Sequence, residues 1–341
     1  MLVMTLTPYI VLTLATIIIA VLALVYRRLL KPKTSVQRWD SFQDKTVLVT
    51  GASSGLGEAF ARYFHSEGAR VVLVARSEER LAQICDQLNS QRQATPNRAV
   101  YLALDITTSA TAVEAAISKL ITSIGGNIDC LVNNAGMSVR GEALDTADSV
   151  DRHLMDVNYF GHVAVTRAVV RHMIEVKKTI PLAETNVKSG KIDVAYGGGA
   201  AIIAISSVQG KFSIPFRAAY GASKHAFSAF FDALRSEITT KHDIHVLVAY
   251  PGYIDTNLSR NALTASGEPY GVSDYTIKKA LSADDVARDI ATGLLSGQEE
   301  MYFVESPKTI VAMYIRNVFP LLYFRIMEMR YRIFFNSQSL G

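Results

Sequence analysis

One stretch narrows the possible folds of this chain more than any other: Thr46 to Gly57, TVLVTGASSGLG. An apolar run ends in a turn and opens at once into helix-forming sequence. Gly51, Gly55 and Gly57 stand in the pattern G-x-x-x-G-x-G. Residues without a Cβ let the backbone come close to a pyrophosphate. The helix N-terminus behind them offers free N–H groups and partial positive charge. A glycine cluster alone says little, but one set between a first strand and a first helix is a strong sign of a dinucleotide loop. Gly51, Ser53, Ser54, Gly55, Leu56 and Gly57 are therefore the expected phosphate-binding residues.

The middle of the chain repeats the alternation. Apolar runs at 70–75, 99–104, 128–132, 200–205, 244–249 and 301–304 predict further strands. Helices are expected at 55–67, 78–93, 109–124, 147–177, 218–240 and 283–296. Runs that are apolar throughout belong to parallel strands covered on both faces. The expected fold class is α/β: a Rossmann-like doubly wound parallel sheet, in a single catalytic domain over 45–304. Lys178 to Gly199, ending in three glycines, reads as a surface insertion within it.

In such a sheet the second strand ends at the adenosine ribose. An acidic residue there would hold the 2′-hydroxyl of NAD, but this chain has Ala75-Arg76-Ser77. A guanidinium suits a 2′-phosphate through charge-assisted hydrogen bonds, which favours NADP(H). The alternative is that Arg76 is merely a solvated residue at a helix start. Asp105, after the third strand, is placed to accept from the adenine amino group. NNAG follows the fourth strand, with Asn133, Ala135 and Gly136 expected along the cofactor crevice.

Tyr220 and Lys224 form Y-x-x-x-K, and residues four apart share one helix face. A cation near the phenol, with the positive nicotinamide of an oxidised cofactor, favours the phenolate and makes Tyr220 a usable acid and base. This motif arises by chance often. Ser207 at the end of the fifth strand, and Asn158 in the helix before it, make the set specific when taken with the glycine loop.

With those residues in that order, followed by PGYIDT at Pro251 to Thr256, the chain resembles the short-chain dehydrogenase/reductase family over about 45–300. The resemblance implies hydride transfer between NADP(H) and a carbonyl or alcohol. Tyr220 would protonate the carbonyl oxygen and Ser207 would orient it. Lys224 would bind the nicotinamide ribose and bias Tyr220, and Asn158 would hold a water linking Lys224 to solvent. The Ile254 backbone and Thr256 would hold the carboxamide, and Pro251 and Gly252 would also contact the cofactor. The stretches 204–237 and 251–272 resemble a membrane-anchored branch of that family, associated with the endoplasmic reticulum and ether-lipid synthesis. Its implied substrate is acyl- or alkyl-dihydroxyacetone phosphate, a ketone. Arg140, Lys211 and Arg217 are candidates to bind that phosphate at the pocket mouth, the alternative being solvated surface residues or local ion pairs. A steroid or retinoid dehydrogenase suits the same features. A cofactor-binding regulator is disfavoured, because it has no chemical need for Asn158, Ser207, Tyr220 and Lys224 together. The family also leaves room for a homodimer.

The two ends of the chain add a membrane. Tyr9 to Tyr26 is 18 residues without a charge, followed by Arg27, Arg28, Lys31 and Lys33. That order fits an uncleaved signal anchor over 1–30 better than a cleaved secretory signal. Basic residues after the anchor predict a cytosolic catalytic domain, reached through a linker at 31–44. Residues 1–40 carry +4 and 301–341 carry +3, while the whole chain is +4, so the middle is mildly acidic. Nucleic acid, which wants a basic stripe on the folded domain, is not an expected partner; anionic headgroups are. Residues 305–341 are apolar with spaced arginines. Either they lie on a membrane surface with their arginines snorkelling, or they pack as a helix over the substrate pocket. Two cysteines exclude a disulfide scaffold and a cysteine-rich zinc site, and the seven histidines show no metal spacing.

Overall fold

A computed structural model describes residues 39–92, 97–179, 199–272 and 280–338. The expected anchor at 1–30, most of the linker and nearly all of the 178–199 insertion lie outside those residues. The strands are β1 (Thr46–Thr50), β2 (Arg70–Ala75), β3 (Val100–Ala103), β4 (Cys130–Asn133), β5 (Val139–Arg140), β6 (Ala200–Ile205), β7 (Ile244–Pro251), β8 (Leu263–Thr264) and β9 (Glu300–Phe303). The helices are α1 (Gly55–Ser66), α2 (Glu78–Gln91), α3 (Ala110–Ser123), α4 (Asp148–Met155), α5 (Gly161–Thr179), α6 (Ala218–His242), α7 (Ala283–Leu295), α8 (Pro307–Val318) and α9 (Pro320–Gln338).

Seven strands form one parallel sheet in the order β3-β2-β1-β4-β6-β7-β9. The chain starts in the middle at β1, runs out to β3, and returns to the other side of β1 at β4. Ligands bind outside the carboxyl ends of the strands at such a switch point. Successive side chains of a strand point to opposite faces. Val47 and Val49 accordingly join Phe60, Phe64, Leu81 and Ile290 of α1, α2 and α7 on one face. Leu48 joins Ile117, Val169, Phe227 and Phe231 of α3, α5 and α6 on the other. Both layers are buried, which is why the strands read as unbroken apolar runs.

Two parts of the fold depart from the sequence reading. The long helix expected at 147–177 is interrupted by a π-helical turn, Asp156–Phe160, between α4 and α5. Trp39 and Phe42, expected in a polar linker, are buried against α1; Phe42 meets Phe64 edge-on at 4.8 Å between centroids. Residues after 305 form two helices broken at Pro320, and no described helix is long and apolar enough to cross a membrane.

Candidate active site

The glycine loop is built as its spacing requires. Gly51 and Gly55 have φ of 66° and 55°, in the left-handed region that glycine enters without strain. A Cβ on Gly51 would come within 2.8 Å of the Ala135 Cα, and one on Gly57 would overlap the Gly51 carbonyl oxygen. Thr50 clasps this loop to NNAG: its hydroxyl donates to the Val132 carbonyl at 3.2 Å and accepts from the Asn134 N–H at 2.9 Å. Gly51, Ser53, Ser54, Gly55 and Leu56 line a cleft of about 680 Å³ at the carboxyl ends of β1 and β4. Gly57 lies behind them as the contact that lets α1 close on β1.

Arg76, Asp105, Ala135, Gly136, Pro251, Gly252, Ile254 and Thr256 line the same cleft. Arg76 is exposed at its edge. Burial works against the charge of Asp105, but hydrogen bonds from the Thr107 backbone and hydroxyl, and the field of Arg76, hold its carboxyl below the ordinary value. Asn133 departs from expectation. It falls on the opposite strand face from Val132, away from the cleft, where its amide donates to the Thr166 hydroxyl at 2.9 Å and its carbonyl faces His162 Nδ1 at 3.0 Å. Asn134 lines the cleft instead, and its amide donates to the Thr50 carbonyl at 3.1 Å.

At the cleft floor Ser207 and Tyr220 line the same wall, and the Ser207 hydroxyl favours the ionised form of the Tyr220 phenol. Ser207 extends from β6, and its Oγ accepts from the Gln209 N–H at 3.1 Å, which fixes its rotamer. Tyr220 projects from the first turn of α6 and is 6% exposed. Burial pushes its phenol above the ordinary value; the Ser207 hydroxyl and the cations Arg217 and Arg140 act the other way. The sequence reading assigns that cationic role to Lys224, but in the folded protein alone the arginines fill it. Lys224, one turn on, is buried, donates to the Ile205 carbonyl at 3.0 Å, and is pushed down to about 8 by burial.

Asn158 sits in the π turn, a device often found at functional sites. Its Oδ1 accepts from the Met137 N–H at 2.9 Å, and its Nδ2 donates to the Met137 carbonyl and the Ser223 hydroxyl, both at 2.9 Å. Its side chain thus bolts the NNAG segment to α6. His162 joins the same layer and was missed as a site residue. Its Nε2 lies 2.6 Å from the Ala135 carbonyl, and burial together with the charge of Lys224 pushes it down to about 3, so it is neutral. Its signal in the sequence is the four-residue step from Asn158, which is too common to read alone.

Of the three candidates for a substrate anion, Arg140 and Arg217 line the cleft. Arg140 Nη1 donates to the Ser138 hydroxyl at 2.7 Å and Nη2 to the Ser259 hydroxyl at 3.0 Å. Lys211 does not belong with them. It is ion-paired to Glu300 at 3.0 Å and lies over the Tyr250 ring at 4.3 Å, away from the cleft lining. The cleft gains Thr309 of α8 and Arg330 of α9, which the sequence does not flag. The helices of the C-terminal segment are pinned beside it: Met313 and Tyr323 bury against Val208 and Phe212, the Tyr323 hydroxyl donates to the Ser213 carbonyl, and Tyr331 stacks on Phe216 at 5.3 Å. Phe216 itself has φ of 66°, a strained conformation for an aromatic residue, in the turn that delivers Arg217 to the cleft.

A hydroxyl and a phenol in one cleft, with a buried ammonium one helical turn away and a Cβ-free cradle beside them, can orient a carbonyl oxygen and pass it a proton next to a bound dinucleotide. The comparisons agree with that chemistry. The family model for short chain dehydrogenase matches residues 45–266. "Dehydrogenase/reductase SDR family member 7B" of Danio rerio is 38% identical over 89% of this chain and 91% of its own length. The Rattus norvegicus protein of that name is 41% identical over 85% of this chain and 82% of its own. A short-chain dehydrogenase from Burkholderia cenocepacia, solved with NADP, aligns with a TM-score of 0.61 and 25% identity over 84% of this chain and 99% of its own. One from Burkholderia phymatum, solved with NAD, has a TM-score of 0.65 at 20% identity over 82% and 95%, which speaks for the fold alone. The chain therefore belongs to the short-chain dehydrogenase/reductase family of oxidoreductases.

Proposed function

We propose that this oxidoreductase is a membrane-anchored, NADPH-dependent reductase of a lipid ketone. The observation that carries the reading is the convergence of Ser207, Tyr220, Arg140 and Arg217 on one cleft beside the glycine loop. A carbonyl oxygen held by Ser207 takes the proton of Tyr220. Both arginines stand close enough to Tyr220 to favour an anionic group on the same substrate. Met137, Val208, Phe212 and Ile214 line the cleft alongside and suit an apolar chain. A phosphorylated ketone with such a chain, of the acyl- or alkyl-dihydroxyacetone phosphate type, meets both demands.

The dinucleotide fits the cradle, since Cβ atoms at Gly51 and Gly57 would fill or distort it. Bound there, NADPH would supply the hydride. Ser53, Ser54 and Leu56 would face its pyrophosphate, Arg76 its 2′-phosphate and Lys224 its ribose. Thr256 and the backbone at Pro251, Gly252 and Ile254 would face its carboxamide. The apolar run at 9–26 would tether the enzyme to the endoplasmic reticulum, with the catalytic domain in the cytosol.

The test is NADPH oxidation by the purified full chain, offered acyl-dihydroxyacetone phosphate and a steroid ketone side by side. Turnover of the phosphorylated lipid, lost in Tyr220→Phe, is expected. Turnover of the steroid alone would replace the substrate reading. Arg76→Glu should move preference from NADPH toward NADH at least tenfold, the loss of about one charge-assisted hydrogen bond. An unmoved preference would overturn the cofactor assignment.

A further inference from the structure

The outer face of α8 and α9 is the largest concentration of uncovered apolar surface among the described residues. Nine of their fifteen exposed large apolar side chains fall between 311 and 333. Val318, Phe319, Leu321, Phe324, Met329 and Ile333 are each more than half exposed. The inner face of the same hairpin is spent on the Val208–Phe212–Met313–Tyr323 cluster, so this outer face is surplus to folding. Patches of this kind mark an interaction surface.

The cations decide what covers it. Residues 307–333 hold Lys308, Arg316, Arg325, Arg330 and Arg332 against one acid, Glu328. Glu328 is taken by Arg332 at 2.5 Å, and Arg316 lies over the rings of Tyr323 and Phe324 at 5.7 and 5.4 Å. A second copy of the chain would set this positive face against itself, because a two-fold interface presents the same patch on both sides. A bilayer with anionic headgroups matches both features. Apolar side chains enter the acyl boundary while long arginines reach back to phosphate. Neither helix can cross instead, by length and charge.

We propose that the α8–α9 hairpin rests on an anionic lipid surface as a contact in its own right, separate from the N-terminal apolar run. Thr309 and Arg330 of that hairpin line the catalytic cleft, so the contact sets the cleft mouth at headgroup level. A lipid substrate then reaches Tyr220 without leaving the interface. Docking depends on this surface alone and stands whether or not the reductase reading does.

The chain allows a clean test, because Cys85 and Cys130 are 4% and 0% exposed and an introduced thiol labels selectively. An environment-sensitive fluorophore goes on Leu321→Cys in one full-length preparation and on Ser90→Cys, an exposed position of α2, in another. Both are reconstituted into phosphatidylcholine vesicles with and without phosphatidylserine. At 321 the emission should shift to the blue and be quenched by nitroxide lipids but not by aqueous iodide. The effect should strengthen with phosphatidylserine and weaken in the Arg325→Glu/Arg332→Glu variant. At 90 iodide alone should quench. The proposal is overturned if the probe at 321 behaves like the one at 90, or if it is shielded from both quenchers, the result of a second copy covering the face. NADPH oxidation in the same vesicles reports separately on the reductase reading.

Discussion

Lys224 is a cleft group whose charge changes within an ordinary assay range. Burial lowers it to about 8, so it is a cation below that pH and loses its proton as pH rises through it. If the ammonium holds the ribose and feeds the Tyr220 proton, kcat/KM for ketone reduction should fall above about pH 8, since that ratio reports the free enzyme. A profile flat to pH 10 would show that Lys224 does not act as a cation. Tyr220 and Lys224 were legible together because i, i+4 spacing puts both on one helix face, here the face toward the cleft. Lys211 was not, because only the tertiary fold brings Glu300 and the Tyr250 ring to it. Asn133 and Asn134 show a finer limit. The motif names both, and only the alternation of strand faces, with Val132 in one core layer and Leu131 in the other, says which one turns from the cleft.

Among the elements, the inner strands of the main sheet were readable because they are apolar on both faces and several residues long, and the edge strands β3 and β9 because each still carries a short apolar run. The paired β5 and β8, of two residues each, carry no periodic signal, yet they hold Arg140 and the Ser259 loop in register. The π turn was equally silent, since one extra residue in a helix changes hydrogen bonding without changing composition. The α1 seam is the most demanding junction in the site. In Gly57→Ala the new Cβ meets the Gly51 carbonyl, a rigid backbone atom. Overpacking of this kind should cost about 1–3 kcal/mol. It should also weaken dinucleotide binding, read as a smaller thermal shift on adding NAD(H) or NADP(H). A variant with unchanged melting and an unchanged shift would contradict the packing argument.

At the scale of the molecule, the buried neutral His162 links acid sensitivity to the layer beneath the site. Unfolded, it takes up a proton near pH 6.5; folded, it resists until about 3. The unfolded state therefore binds more protons in that window, and stability falls as pH drops through it, by about 2 kcal/mol between pH 7 and pH 5. Urea titrations of the wild type and of His162→Gln should differ in that slope, the variant being flatter. The C-terminal hairpin, whose place over the pocket was one of two readings of the sequence, gives this body both a wall of its cleft and an uncovered flank. At the opposite end of the described chain, Trp39, the sole tryptophan of the sequence, is shut beneath α1 beside Phe42 with the Lys45 ammonium 5.4 Å from its ring. The molecule thus carries a native optical reporter at the seam where its first described residues join its core. A red shift in its emission will register that seam opening, whatever the reaction centre is doing.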